Sequence, residues 1–304
     1  MLAADYMGSL LGGLPFPLVL VPHLGLIVIG LLTAAVNLAV ALSALRWLLP
    51  KSRRPVFRLA ASGSVAGAIL LALVFAQPIE QYFVKNYYFY LHLSDDVGTL
   101  FGSMENADEV VRELSPYQRI DILHDRQGYE NDILIDYYSS KFVDNPAQPR
   151  NYTLFLNGDF QVTSNYEEYY HEFFAHVPIA THGAAPRRVL VMGAGDGLLI
   201  RELVKYPDIE EIVHVDLDGK LVELARTHPV LATMNEGALE DPRVRTHFDD
   251  AYRYIRNSTE TFDAIYLDFP YVKDYNVSKL YSREFLHFVR QRLAPDGFVA
   301  VSYT

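Results

Sequence analysis

The stretch Arg188-Val-Leu-Val-Met-Gly-Ala-Gly-Asp-Gly197 constrains the fold more tightly than any other part of the chain. Four apolar residues, two of them β-branched, read as a buried strand that ends in glycines. Leu198-Leu-Ile-Arg-Glu-Leu-Val-Lys205 follows with helical spacing, so Gly193, Gly195 and Gly197 stand where a strand hands over to a helix. At such a junction the backbone can approach a nucleotide closely, with helix N–H groups facing the ligand. Roughly twenty residues on, Ile212-Val-His-Val-Asp216 is a second apolar strand ending in an acid, placed to take ribose hydroxyls. The spacing is Gly-x-Gly-x-Gly, not the Gly-x-Gly-x-x-Gly of dinucleotide enzymes. That difference points away from NAD and toward a sulfonium nucleoside of the S-adenosylmethionine type.

The same alternation continues downstream. Lys220 to Arg226 reads as a short helix, and Val244 to Phe248 as a strand ending at Asp249-Asp250. Ala251 to Arg256 is helical, Phe262 to Asp268 is a strand ending in another acid, Ser282 to Leu293 is an amphipathic helix, and Gly297 to Ser302 is a strand. The pattern predicts an α/β fold with a Rossmann-like, methyltransferase-type sheet, with acids at the strand ends where open parallel sheets bind ligands. A sheet of this type continues past Thr304, so this domain is expected to be C-terminally incomplete. Upstream, Arg119 to His124, Asn131 to Asp136 and Tyr152 to Leu156 are short alternating segments, and Asn157-Gly158 is a tight-turn signal. They predict a small antiparallel sheet. Glu167 to His176 reads as a helix with an aromatic face.

The N-terminal part is apolar. Leu24 to Leu45 and Leu59 to Ala76 carry no charged residue, which predicts transmembrane helices and a multi-pass protein of the cell membrane with the bilayer as a partner. Arg46, Lys51, Arg53, Arg54 and Arg58 lie between the two runs, and the positive-inside rule would place that loop in the cytoplasm and everything after Ala76 on the far side. The nucleoside cofactor argues instead that the catalytic domain is cytoplasmic, and that argument outweighs two runs and a few charges. Tyr87-Tyr-Phe-Tyr90 reads as an interfacial aromatic belt. The net charge of −11 is a poor match for nucleic acid and suits a cationic substrate. The chain has no cysteine, which excludes disulfides and thiolate chemistry, and its histidines show no metal-ligand spacing, so no metal is expected.

Taken together, the motifs resemble the spermidine synthase (polyamine aminopropyltransferase) family, in particular its membrane-attached bacterial branch. They are Ser115-Pro-Tyr-Gln-Arg-Ile120, Leu154-Phe-Leu-Asn-Gly-Asp-Phe-Gln161, Tyr170-His-Glu172, Gly193-Ala-Gly-Asp-Gly197, Val215-Asp-Leu-Asp218, Asp250-Ala251 and Lys279-Leu-Tyr-Ser282. The resemblance implies transfer of the aminopropyl group of decarboxylated S-adenosylmethionine to a polyamine such as putrescine, with release of methylthioadenosine. It implies that Asp216 holds the ribose, that Asp250 with Ala251 meets the adenine edge, and that Gln161 and Asp196 contact the aminopropyl arm. Tyr170 and His171 would line the channel to the amine. Family members are often homo-oligomers. From the residues themselves, Asp196 beside the donor tail favours an ammonium and repels the carboxylate of intact S-adenosylmethionine; it is equally placed to cap the helix at Leu198.

The chain departs from the family at the amine end. The family's strand runs on as Asp-x-x-Asp-Pro, whereas here the run is Asp268-Phe-Pro-Tyr271-Val272, so Tyr271 stands at the base position. Tyr166 stands where a second acid is usual. A phenol with a pKa of about 10 neither attracts a cation nor accepts a proton well at neutral pH. Three readings stay open: Asp274 or Asp268 takes the proton, the acceptor is a less cationic amine stacked on Tyr166 and Tyr271, or the domain only binds a nucleoside. Methyl transfer from S-adenosylmethionine to a small molecule is the competing activity, and a catalytically impaired membrane-anchored homologue the non-enzymatic one. The expected organisation is transmembrane helices over 1–78, a connector over 79–114, a small β domain over 115–165, and the nucleoside-binding catalytic domain over 166–304.

Overall fold

The computed structural model describes residues 26–48, 55–80, 107–125, 152–164, 167–272 and 275–302, with the single positions 16, 20, 24 and 82. The expected strand at 131–136 and the aromatic run at 87–90 lie outside the described residues. The chain divides into two units, Met1–Val110 and Val111–Thr304.

In the first unit the apolar runs form helices α1 (Leu26–Leu48) and α2 (Pro55–Val74). Pro55 opens α2, the position where its missing N–H is harmless. On α1 the hydroxyls of Thr33 and Ser43 donate to the carbonyls of Ile29 and Ala39, both at 2.8 Å. The expectation of membrane spans is corrected here: among the described residues no helix is long and apolar enough to cross a membrane. An uncharged run is a weaker property than a span, which needs about 20 predominantly apolar residues in one helix. These runs are diluted by Thr33, Asn37 and Ser43 in one and by Ser62, Gly63, Ser64 and Gly67 in the other. The cell-membrane location falls with it, and the bilayer partner and the membrane-attached branch of the family are left without support.

The second unit holds two sheets. The smaller one has the order β1-β2-β3-β4, built from β1 (Ala107–Leu114), β2 (Arg119–Asp125), β3 (Tyr152–Leu156) and β4 (Asp159–Thr163). Strands β2, β3 and β4 pair antiparallel. Asn157 and Gly158 both have positive φ, 56° and 91°, and join β3 to β4 in a two-residue hairpin.

Next come α3 (Glu167–His182), β5 (Arg188–Gly193), α4 (Leu198–Val204), β6 (Glu211–Asp216), α5 (Gly219–Thr227) and α6 (Pro229–Met234). They are followed by β7 (Val244–Phe248), α7 (Ala251–Asn257), β8 (Phe262–Asp268), α8 (Arg283–Arg292) and β9 (Leu293–Val301). The five strands form one parallel sheet in the order β7-β6-β5-β8-β9. Strand β5 is apolar throughout because both of its faces are covered. Val189 and Val191 pack with Ala175, Ile179, Leu199 and Leu203 from α3 and α4. Leu190 and Met192 pack on the other side with Ile255, Phe285 and Val289 from α7 and α8. The strand order reverses between β5 and β8, so a crevice opens at the carboxyl ends of those two strands.

Candidate active site

The residues at the carboxyl ends of β5, β6 and β8 meet around the glycine loop. Gly193 ends β5 at φ +88° and pairs in register with Asp268. A β-carbon on Gly193 would stand 1.8 Å from the carbonyl oxygen of Asp268, so no other residue lets the two strands lie this close. A β-carbon on Gly195 would stand 2.8 Å from Oδ2 of Asp216, which shows how tightly that carboxyl is laid against the loop. Gly197 is the N-cap residue of α4. Asp196 accepts a hydrogen bond on Oδ1 from the amide of Leu198 at 3.0 Å, satisfying one of the free N–H groups of the first turn.

Asp216 is buried, and its Oδ1 accepts from the Asp218 amide at 2.7 Å. Burial pushes its carboxyl up to about 7, and the charges of Asp218, Asp196 and Asp268 push the same way. Asp218 in turn caps α5 with Oδ1, while its Oδ2 accepts from Ser115 Oγ at 2.8 Å and Gln118 Nε2 at 2.7 Å. The Ser115-Pro-Tyr-Gln118 segment thus ties the small sheet to the loop that carries Asp216.

Asp250 caps α7 through the amide of Arg253 at 3.0 Å and holds Lys279 Nζ at 2.6 Å. Burial works to raise its pKa, but Lys279 and that amide outweigh it and hold the carboxyl below the usual range. Ala251, the first residue of α7, is buried.

Asp268 is half-buried at the end of β8 and accepts from the Tyr170 hydroxyl at 2.6 Å. Burial pushes its carboxyl up, as it does the Tyr170 phenol, where the Asp268 charge adds to the effect. His171 is buried beside Tyr170, with the ring centroids 4.9 Å apart. Its Nδ1 lies 3.0 Å from Glu167 Oε2 and 2.8 Å from the Glu167 carbonyl oxygen.

Gln161 turns its amide back on its own strand, donating to the carbonyls of Asp159 and Phe160. Tyr271 is exposed, two residues beyond a buried Phe269. Tyr166 and Asp274 lie outside the described residues. Among the described residues no group of three His, Cys, Asp or Glu side chains is arranged to hold a metal ion.

Two arrangements were not legible in the sequence, although Arg201-Glu202 is part of the motif that follows the glycine loop. Arg201 and Glu202 are both buried in α4, and Arg201 forms a two-pronged pair with Glu167, Nη1 to Oε1 at 2.6 Å and Nη2 to Oε2 at 3.0 Å. The signal was a charged pair inside an otherwise apolar seven-residue helix. His214 is buried in β6, and Nε2 donates to the Gly193 carbonyl at 2.9 Å. Burial takes its pKa down to about 4, so it is a neutral ring that steadies the glycine loop at pH 7. An isolated histidine in an apolar strand was the only hint.

The elevated Asp216 pKa makes a stability prediction. An acid whose folded pKa lies above its unfolded value binds more protons when folded, so stability falls as pH rises between the two. The window runs from about 4, the unfolded value, to about 7. Asp216→Asn removes the term and is expected to be more stable than the parent at pH 8, by up to about 4 kcal/mol. The gap should close near pH 4. Urea denaturation at both pH values measures it; an equal gap at both would show that Asp216 is not the titrating group.

Comparison with known proteins now bears on this arrangement. Residues 167–302 match the spermine/spermidine synthase domain. The polyamine aminopropyltransferase of Oceanobacillus iheyensis is 32% identical over 305 residues, covering 100% of this chain and 51% of the relative. Polyamine aminopropyltransferase 1 of Streptomyces coelicolor is 34% identical over 302 residues, covering 99% and 50%. The chain spans about half the length of the curated relatives it matches. Among solved structures, a spermidine synthase in complex with the transition-state analogue AdoDATO superposes with a TM-score of 0.53 at 26% identity, over 64% of this chain and 58% of that one. These similarities support the spermidine synthase family and its α/β Rossmann-like fold for the second unit.

Proposed function

We propose that the second unit is an aminopropyltransferase that uses decarboxylated S-adenosylmethionine and a polyamine such as putrescine. One observation carries the reading: Asp196, Asp216 and Asp268 meet at the reversal of strand order, close enough that the charge of Asp196 raises the pKa of both Asp216 and Asp268. A pocket of that charge favours a donor tail ending in an ammonium over one that also carries a carboxylate. In this reading Asp216 takes the ribose hydroxyls, Asp250 and Ala251 the adenine edge, and Asp196 the aminopropyl ammonium, with Gln161 joining it. The loop of Gly193, Gly195 and Gly197 lets the ligand approach the backbone. The small β domain covers 115–165 and the nucleoside-binding domain 166–304.

The amine nitrogen forms a bond to the carbon next to the sulfonium, the carbon–sulfur bond breaks, and methylthioadenosine leaves as a neutral thioether. The surplus proton on nitrogen needs an acceptor. Asp268, with a raised pKa and a Tyr170 hydroxyl holding its Oδ1, is suited to that role while Tyr271 occupies the usual base position.

The test is incubation with decarboxylated S-adenosylmethionine and a panel of amines, assayed for methylthioadenosine. Release with an amine present and not without it is expected. Asp216→Ala should lose donor binding by at least about a hundredfold, the scale of a few kcal/mol of charge-assisted hydrogen bonding. Equal or tighter binding of intact S-adenosylmethionine would sink the aminopropyl reading in favour of methyl transfer.

A further inference from the structure

Glu167 and Arg201 lie behind the proposed amine pocket, and the reaction as described makes no use of them. The Glu167 side chain is fully buried and already neutralised by the two-pronged contact with Arg201. Arg201 is held by Glu202 Oε1 at 2.7 Å and by the Met234 carbonyl at 2.7 Å, so the guanidinium has no freedom to leave. The same Glu167 carboxylate still reaches His171 Nδ1, and the Glu167 carbonyl oxygen reaches it too. A nitrogen facing two oxygens that can only accept must itself carry the proton. His171 is therefore the Nδ1–H tautomer, and when neutral its Nε2 is a lone-pair acceptor.

We infer that Glu167, clamped by Arg201, is a positioning residue that fixes this tautomer, so that neutral His171 accepts a hydrogen bond from the incoming amine and protonated His171 repels it. This rests on the aminopropyltransferase reading of the site. The groups facing His171 are Glu167 on its own helix, Asp196 from the glycine loop and Asp268 from β8, with the Tyr170 ring against it. Burial disfavours the imidazolium, but Glu167, Asp196 and Asp268 outweigh it and raise the pKa above the ordinary value. The protonated state therefore persists to higher pH than on a free imidazole, and its loss as pH rises can shape amine binding.

The experiment compares the pH profile of kcat/KM for the amine with the titration of His171 followed by NMR on ring-labelled histidine. In the unmodified protein the midpoint of the acid limb should coincide with the His171 midpoint, with KM rising and kcat holding as pH falls. In Glu167→Gln both midpoints should move down together by about one unit or more, raising kcat/KM about tenfold at a pH on the limb. Glu202→Gln removes an equally buried partner of Arg201 that does not touch His171, and should leave both midpoints in place. A limb that ignores the His171 midpoint, or one that moves equally in Glu202→Gln, overturns the proposal. The NMR titration decides the Glu167–His171 coupling even if no amine releases methylthioadenosine, which would instead defeat the functional reading.

Discussion

Replacing Gly193 with alanine is expected to remove about 4 kcal/mol or more of stability, a large part of the 5–15 kcal/mol a domain holds. Two penalties coincide. The φ of +88° is strained for an L-residue by about 1–2 kcal/mol. The new β-carbon would also stand 1.8 Å from the Asp268 carbonyl oxygen, a backbone atom of the paired strand that cannot swing aside. Relief requires opening the sheet between β5 and β8, where the proposed site lies. Gly237→Ala is the control, because Gly237 has φ +68° but nothing within 4 Å of the added carbon. It should lose only the backbone term, about 1–2 kcal/mol. Urea midpoints for both variants measure the difference; equal losses would mean that the close approach of the strands is not demanding.

The second large effect is expected from Arg201→Met. The variant keeps much of the side-chain volume but leaves Glu167 and Glu202, both 0% exposed, without their guanidinium. Breaking a buried pair by removing one partner costs about 3–5 kcal/mol. Burial works to raise both carboxyls, and in the parent their cationic neighbours outweigh it, His171 and Arg201 for Glu167, Lys205 and Arg201 for Glu202. Depressed carboxyl pKa values stabilise above the carboxylate range and lose that contribution as pH falls through the folded values. In Arg201→Met the carboxyls rise, so the deficit should be largest at pH 7.5 and shrink at pH 5. Adding Glu167→Gln to the variant should recover part of the loss. A deficit that is the same at both pH values would assign the effect to lost packing rather than to charge.

Much of the second unit was legible because its periodicities are local. Strands β7 and β8 were read to their exact ends, β6 to its terminal Asp216 and β5 to its terminal glycine, because apolar runs bounded by Gly or Asp report burial directly. The helix at Ser282 and the strand at Gly297 were read as separated, whereas α8 passes straight into β9 at Leu293. Leu293 pairs with Phe262 and the register then shifts, so Phe298 rather than Pro295 meets Ala264. An Ala-Pro-Asp-Gly segment carries turn residues and conceals its strand pairing. The apolar N-terminal runs were read correctly as helical but not in what they span, since hydropathy of a run does not measure the helix built from it.

By itself the sequence determined the strands of the parallel sheet, most of the helices between them, the glycine loop and the acids that end β6 and β8, because burial and turn chemistry act within a few residues; β1, read as part of a connector, and α6 escaped it. It did not determine which charges would meet. Glu167 and Arg201 are 34 positions apart, and Tyr170 and Asp268 are 98 apart. Ser115 reaches Asp218 across 103. Only the reversal of strand order beside β5, and the packing of α3 over that strand, brings those partners within hydrogen-bond reach. The pKa of Asp216 follows from the same source: burial and neighbouring carboxylates are properties of the folded surroundings, not of an aspartate at the end of an apolar run.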